Sequence, residues 1–307
     1  MGGGGGGGGR YSRSTTSLEA RLAQLRARER ERLDQDISRL IAENLAKFNG
    51  RDRELTRERL DEIQEALGEH VQIDRILFGG SVAKHTEVDG ISDVDALVIL
   101  DRDDLRGASA QKVKEACLRA IQETLPQADV ESIRLGQMAV TVAYRDGMEI
   151  QLVPAIRKGS TVAVPAASGG GWNETEPGAF RKQLTAANDR VGGNLVPAIK
   201  LFKAALSRFP PQKRLSGYHV ETLAVDAAKN YAGSTAPKDL LVHLFEHASR
   251  RVLRPIQDRT GQSRTVDAYL GPAESAERRN VAMALDGMRR RLSSASTVAE
   301  WRAVLEE

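Results

Sequence analysis

Residues 78–98 read FGGSVAKHTEVDGISDVDALV and hold the side chains best placed to do chemistry. Ile76, Leu77 and Phe78 end an apolar run that reads as a strand. Gly79 and Gly80 allow a sharp turn and a close backbone approach to a ligand. Ser81 follows where a helix would begin, so its hydroxyl and the nearby N–H groups suit a phosphate. Asp93 to Leu100 then reads as a buried strand. Its alternation puts Asp93 and Asp95 on one face and Val94 and Ala96 on the other. Two carboxylates ~7 Å apart along a strand can converge on metal ions. Their hard oxygen donors suit Mg²⁺ or Mn²⁺ better than zinc. A solvated acidic turn is the bland reading of Asp-x-Asp alone; the preceding strand and glycine turn argue against it.

The order Gly-Gly-Ser, eleven residues, Asp-x-Asp resembles the signature of the polymerase-β-like nucleotidyltransferases. The resemblance implies a triphosphate held by the glycine turn and two divalent ions, Mg²⁺ or Mn²⁺, held by Asp93 and Asp95. Those ions would activate a 3′ hydroxyl and stabilise leaving pyrophosphate. Further segments resemble the CD-NTases, the cGAS/DncV-like enzymes of antiphage defence. Met148–Ala155 is similar to the strand carrying their third carboxylate, and Trp172–Pro177 to a short W…P segment. Asn194–Lys203 is similar to their central helix, which ends in a lysine near the triphosphate. Leu215–Glu221 is similar to their S-x-Y-x-x-E segment. The likeness runs from about residue 55 to 270, and the aspartate strand is its most specific part.

One position departs from the pattern. The third acid would fall at Gln151, and Glu149 lies two residues earlier on the same strand face. Three readings are open: Glu149 as the third metal ligand, two carboxylates with the amide oxygen of Gln151, or a site that binds nucleotide without turnover. The loss of one negative charge should weaken metal affinity.

The resemblance assigns Gly79, Gly80 and Ser81 to the triphosphate. It gives Asp93 and Asp95, with Glu149 or Gln151, to metal and catalysis. Lys203 is expected at the β- and γ-phosphates as a point charge, with Lys200 as second choice. Without the resemblance, each reads as a lysine on an amphipathic helix. Ser216 either donates to phosphate or caps the helix that follows. Tyr218 either stacks on a base or packs in the core. Lys84 and His85 follow the glycine turn within reach of phosphate, and Thr86 would orient that turn. His243 and His247 have i, i+4 spacing, yet the absence of H-E-x-x-H or nearby cysteine favours plain helix packing. The polar segment 259–267 reads either as a hydrogen-bonded corner or as a loop contacting base or ribose.

The elements positioning these residues describe an α+β protein. It combines a polymerase-β-like palm, a mixed sheet with helices on one side, with a C-terminal helical domain and a long N-terminal helix. The expected organisation is a glycine-rich disordered tail at 1–16, the helix at 17–53, the palm at 54–165 and the helical domain at 166–307. Leucines and isoleucines from Leu18 to Leu45 recur at helical spacing. RARERER at 26–32 suits a solvated face. The first half of this helix reads as an arm for self-association, and residues 33–49 as a brace for the core. A second helix spans 54–69 and a third 112–124. Ile133–Tyr144 and Met148–Val153 read as a hairpin turning at Arg145–Gly147. Pro165–Gly171 is a linker or a lid, and beyond Pro177 at least four helices follow.

Composition agrees. The 307 residues are 40% apolar and 28% charged, with formal net charge +3 and an isoelectric point near 9.0. Such a chain accepts anionic ligands without demanding long nucleic acid. At 4% aromatic, it lacks an evident stacking surface for single strands. The single cysteine, Cys117, falls in the third helix and reads as a buried core thiol. No apolar run is long enough to span a bilayer, no secretory pattern is present, and cytoplasm is the default expectation.

The resemblance thus implies template-independent synthesis of a cyclic or linear oligonucleotide second messenger. The partners would be nucleoside triphosphates, ATP first among them, and a downstream effector protein; a nucleic-acid activator is open. Linear oligomers from deoxynucleotides, or a catalytically weak nucleotide-binding regulator of an effector, are the competing readings.

Overall fold

The computed structural model describes residues 11–50, 53–91, 93–100, 107–159, 161–166, 171–176, 178–258, 260 and 263–306, with side chains in the first helix from Leu18. Residues 1–10, Pro177, the centre of the 165–171 segment and Arg259, Gly261 and Gln262 of the polar segment lie outside them, whereas residues 11–16, expected in a disordered tail, are helical, and the helix expected over 17–53 runs from Tyr11 to Phe48. Helices α1 (Tyr11–Phe48) and α2 (Arg53–Gly68) precede β1 (Ile73–Phe78) and β2 (Val94–Leu100). Helix α3 (Ala110–Thr124) leads to β3 (Val130–Leu135), β4 (Val140–Tyr144), β5 (Glu149–Lys158), β6 (Thr161–Pro165) and β7 (Trp172–Thr175). Helices α4 (Ala179–Arg190), α5 (Leu195–Ser207), α6 (Gly217–Ala228), α7 (Pro237–Arg251), α8 (Ala276–Ser294) and α9 (Val298–Leu305) complete the chain.

The sheet runs β1-β2-β5-β4-β3, and β6 joins β5 to β7. Only β2 and β5 pair in parallel, which makes the sheet mixed. Strand alternation divides its two faces. Val94, Ala96, Val98 and Leu100 pack with Ile150 and Leu152 against Leu60, Ile63 and Leu67 of α2 and Val113, Cys117 and Ile121 of α3. The opposite face carries Asp95, Leu97 and Ile99 beside Gln151, Val153 and Ala155. One apolar side therefore anchors the strands while the other is left for chemistry.

Three strand readings are corrected. Ile133–Tyr144 is two strands, because Gly136 N–H bonds to the Ala139 carbonyl at 2.8 Å and turns the chain. β5 continues past Val153 to Lys158 despite Pro154. Pro154 sits after β4 has ended its pairing and before β6 begins, so its missing N–H breaks no antiparallel bond. Asp93 precedes β2 rather than opening it. Strands β6 and β7, too short for clear alternation, extend the sheet to residue 175.

A second core unites α4 to α9 with the C-terminal half of α1, through Leu33, Ile37, Leu40, Ile41 and Leu45. Residues 18–32 of α1 are exposed, with Leu18, Leu22 and Leu25 at 59%, 45% and 49%. No helix among the described residues is long and apolar enough to cross a membrane.

Burial pushes the Cys117 thiol up to about 12. Native protein is therefore expected to resist thiol-specific reagents at neutral pH and to react stoichiometrically once denatured. Rapid labelling of the native chain would mean that α3 does not pack on the sheet as described.

Candidate active site

The turn after β1 brings backbone directly against β2. Gly79 N–H donates to the Asp95 carbonyl at 2.7 Å. Gly80 has φ +48°, and a Cβ there would lie 1.4 Å from Asp95 Oδ2. Glycine is required on both counts. Ser81, largely buried, donates its N–H to the Asp95 carboxylate. Burial first, and then the neighbouring Asp93, push the Asp95 carboxyl up, while Lys84 and the Ser81 N–H oppose the shift.

Asp95 pairs in register with Gln151, and Gln151 Nε2 donates to Asp93 Oδ2 at 2.7 Å. Asp93, Asp95 and Gln151 thus face one cleft of about 540 Å³ with Gly80, Ser81, Lys84, Lys203, Ser216 and Tyr218. A second cleft, about 690 Å³, adjoins it and includes Gly79, Phe180 and Arg181. Gly80, Lys84, Asp95 and Tyr218 line both.

Two expected residues lie elsewhere. Glu149 is tied to Arg134 of β3 at 2.5 Å and does not line either cleft. Lys200 donates to Asn49, just beyond α1, at 2.6 Å and faces Glu87 at 3.9 Å. Ser216 caps α6 by accepting the His219 N–H at 3.3 Å, yet still borders the cleft. Tyr218 donates its hydroxyl to Asp258 at 2.9 Å. Its ring meets Phe180 edge-on at 5.0 Å, and the Lys84 ammonium lies 5.2 Å from the Phe180 centroid. His85 takes the left-handed conformation that closes the turn. His243 and His247 contact the Ala227 carbonyl and Asp226.

Sequence reasoning did not single out Phe180 or Arg214 for the clefts. Nothing local marks Phe180, whereas the Lys213-Arg214 pair before the Ser216 segment was a signal for Arg214. It also named Glu221 only as part of a motif. Glu221 is buried and accepts from Lys203 Nζ at 2.8 Å, from the Thr86 hydroxyl at 2.5 Å and from Lys84. These lysines hold its carboxyl below the ordinary range despite burial.

Fold and site together define a polymerase-β-like nucleotidyltransferase. The Second Messenger Oligonucleotide or Dinucleotide Synthetase domain, SMODS, matches residues 33–188, and the chain belongs to that family. It is an enzyme of the CD-NTase type, a nucleotide second-messenger synthase. Solved structures share the fold at low identity. CdnC of E. coli MS115-1 with ATP has 17% identity and a TM-score of 0.61, covering 83% of this chain and 91% of that one. Escherichia coli DncV bound to 3′-deoxy GTP has 14% identity and a TM-score of 0.60, covering 93% and 88%. The cyclic AMP-GMP synthase DncV of Vibrio cholerae has 13% identity and a TM-score of 0.59, covering 94% and 89%. No curated protein sequence matches the chain.

Gly80→Ala is expected to leave the chain folded but to displace Asp95. A displacement of about 1 Å costs roughly 10²-fold in rate. Steady-state turnover beside a melting curve checks this, and wild-type turnover in the variant would contradict the close approach.

Proposed function

We propose that this enzyme joins nucleoside triphosphates without a template into a cyclic or linear oligonucleotide. The observation carrying the reading is that Asp95 and Lys84 line two adjoining clefts, which this reading gives to the two reacting nucleotides. In each step an acceptor ribose hydroxyl oxygen attacks the α-phosphorus of the donor. A P–O ester bond forms, the bond to the β-phosphate bridge breaks, pyrophosphate leaves and the hydroxyl proton passes to solvent. The glycine turn and Ser81 hold the donor triphosphate, Lys84 and Lys203 offset its charge, and Tyr218 with Phe180 offers ring surface to a base.

Two neighbouring carboxylates, of which Asp95 is pushed up first by its burial and then by Asp93, suit a pair of hard divalent cations. Asp93 and Asp95 would hold Mg²⁺ or Mn²⁺, with the amide oxygen of Gln151 beside them. Among the described residues no third Asp, Glu, His or Cys completes a cluster. Bound there, the ions supply Lewis-acid stabilisation of the phosphates and an acidified hydroxyl. The amide at Gln151 supports a second reading, a catalytically weak regulator that binds triphosphate and gates an effector.

The family resemblance supports a cytoplasmic role in antiphage defence, with ATP as first substrate and a separate effector as receiver of the product. The exposed Leu18, Leu22 and Leu25 of α1 support self-association through that helix.

Incubation with Mg²⁺ or Mn²⁺ and all ribo- and deoxyribonucleoside triphosphates, followed by mass spectrometry, tests the reading. New oligomers are expected from wild type. Asp95→Asn should reduce them at least ~10³-fold, as the loss of several kcal/mol of charge stabilisation requires. Triphosphate bound without product under either metal would favour the regulator. Gln151→Asp adds a carboxylate and is expected to lower the half-saturating Mg²⁺ concentration about tenfold, ~1.4 kcal/mol. A magnesium titration of turnover reads this directly; an unchanged requirement would separate Gln151 from the metals.

A further inference from the structure

Glu221 stands where three elements meet. Lys84 and Thr86 come from the turn after β1, Lys203 from α5 and Glu221 from α6. Glu221 Oε1 takes Lys203 at 2.8 Å and the Thr86 hydroxyl at 2.5 Å, and Oε2 takes Lys84. The Lys203 ammonium also donates to the Thr86 carbonyl at 3.0 Å. All four side chains are largely withdrawn from water. One carboxylate serves two ammoniums, so the cluster carries a surplus positive charge at the wall of the cleft.

We propose that Glu221 is a positioning residue that keeps Lys84 and Lys203 charged and aimed at the triphosphate of the bound nucleotide. The inference rests on the triphosphate reading of the cleft. Burial disfavours a charged lysine, and a second lysine nearby disfavours it further. Lys203 experiences both, with Glu221 of α6 and Asp95 of β2 opposing them. Burial wins that balance only in part, lowering Lys203 from its ordinary value. Removing the Glu221 charge leaves burial and Lys84 largely unopposed, so Lys203 would shed its proton as pH rises. A carboxylate that only pinned helices together would leave nucleotide affinity insensitive to pH.

The test measures Mg²⁺-dependent binding of α,β-methylene ATP to the full chain at about pH 7.5 and about pH 9. Wild-type affinity is expected to change less than about twofold between them. Glu221→Gln should bind about tenfold more weakly at the lower pH and lose roughly another tenfold at the higher. Lys203→Met should match the first loss without the second. Glu221→Gln that binds like wild type, or loses the same factor at both pH values, overturns this inference alone. Should Glu221→Gln fail to fold, the wild-type comparison decides, because a wild-type loss of about tenfold across this range also overturns it. Folded wild type that binds no analogue at either pH overturns the triphosphate reading and this inference with it.

Discussion

The arrangement of the candidate site depends on the contact between Gly80 and Asp95. The backbone of the turn lies so near the carboxylate that any side chain at Gly80 would occupy the space of Oδ2. The same approach lets the Ser81 N–H reach the carboxylate and ties Gly79 to the Asp95 carbonyl. The backbone proposed to hold triphosphate and the carboxylate proposed to hold metal thereby share one corner. Glycine at position 80 takes the left-handed conformation without the penalty a side chain would bring, so the close approach is held without backbone strain.

The sheet makes that corner rigid through a division of faces. Val94, Ala96 and Val98 are sealed against α2 and α3, so the intervening Asp95 must face away from that core. Parallel pairing of β2 with β5 sets Gln151 beside Asp95, and Gln151 in turn orients Asp93. The helical part closes the cleft from the other side. Its α6 is joined to the palm by the ion pair of Glu221 with Lys84 and the hydrogen bond from the Thr86 hydroxyl, and its α5 by the bond from Lys203 to the Thr86 carbonyl. Breaking a buried pair of this kind on one side leaves an uncompensated charge, which is more costly than the pair is stabilising. The clefts are thus framed by elements that share one buried cluster of Lys84, Thr86, Lys203 and Glu221.

What was legible in the sequence was local. Gly79-Gly80-Ser81, the alternation of Asp93-Val94-Asp95 and the helical spacing of the leucines all act within a few residues. Their placement in turn, strand edge and helix follows from backbone geometry alone. Less legible were features set by distant partners. Lys200 and Lys203 share a helix, yet Asn49 draws one away and Glu221 holds the other at the cleft. Glu149 shares a strand face with Gln151, yet Arg134 captures it. Pro154 reads as a strand end but is tolerated because its neighbours change partners around it. Phe180 reaches the cleft only through the fold of α4 against α6. The division of α1 into an exposed and a packed half depends on α5, α7 and α9, which lie far along the chain.

Nucleotidyl transfer is proposed at the corner shared by the two clefts. The most direct measurement is simultaneous quantification of pyrophosphate and of new phosphodiester bonds during turnover with Mg²⁺ and a mixture of triphosphates. The account predicts one pyrophosphate for every bond formed, with both signals lost together when Asp95 is replaced. Release of inorganic phosphate without bond formation, or bond formation that survives loss of Asp95, would contradict it.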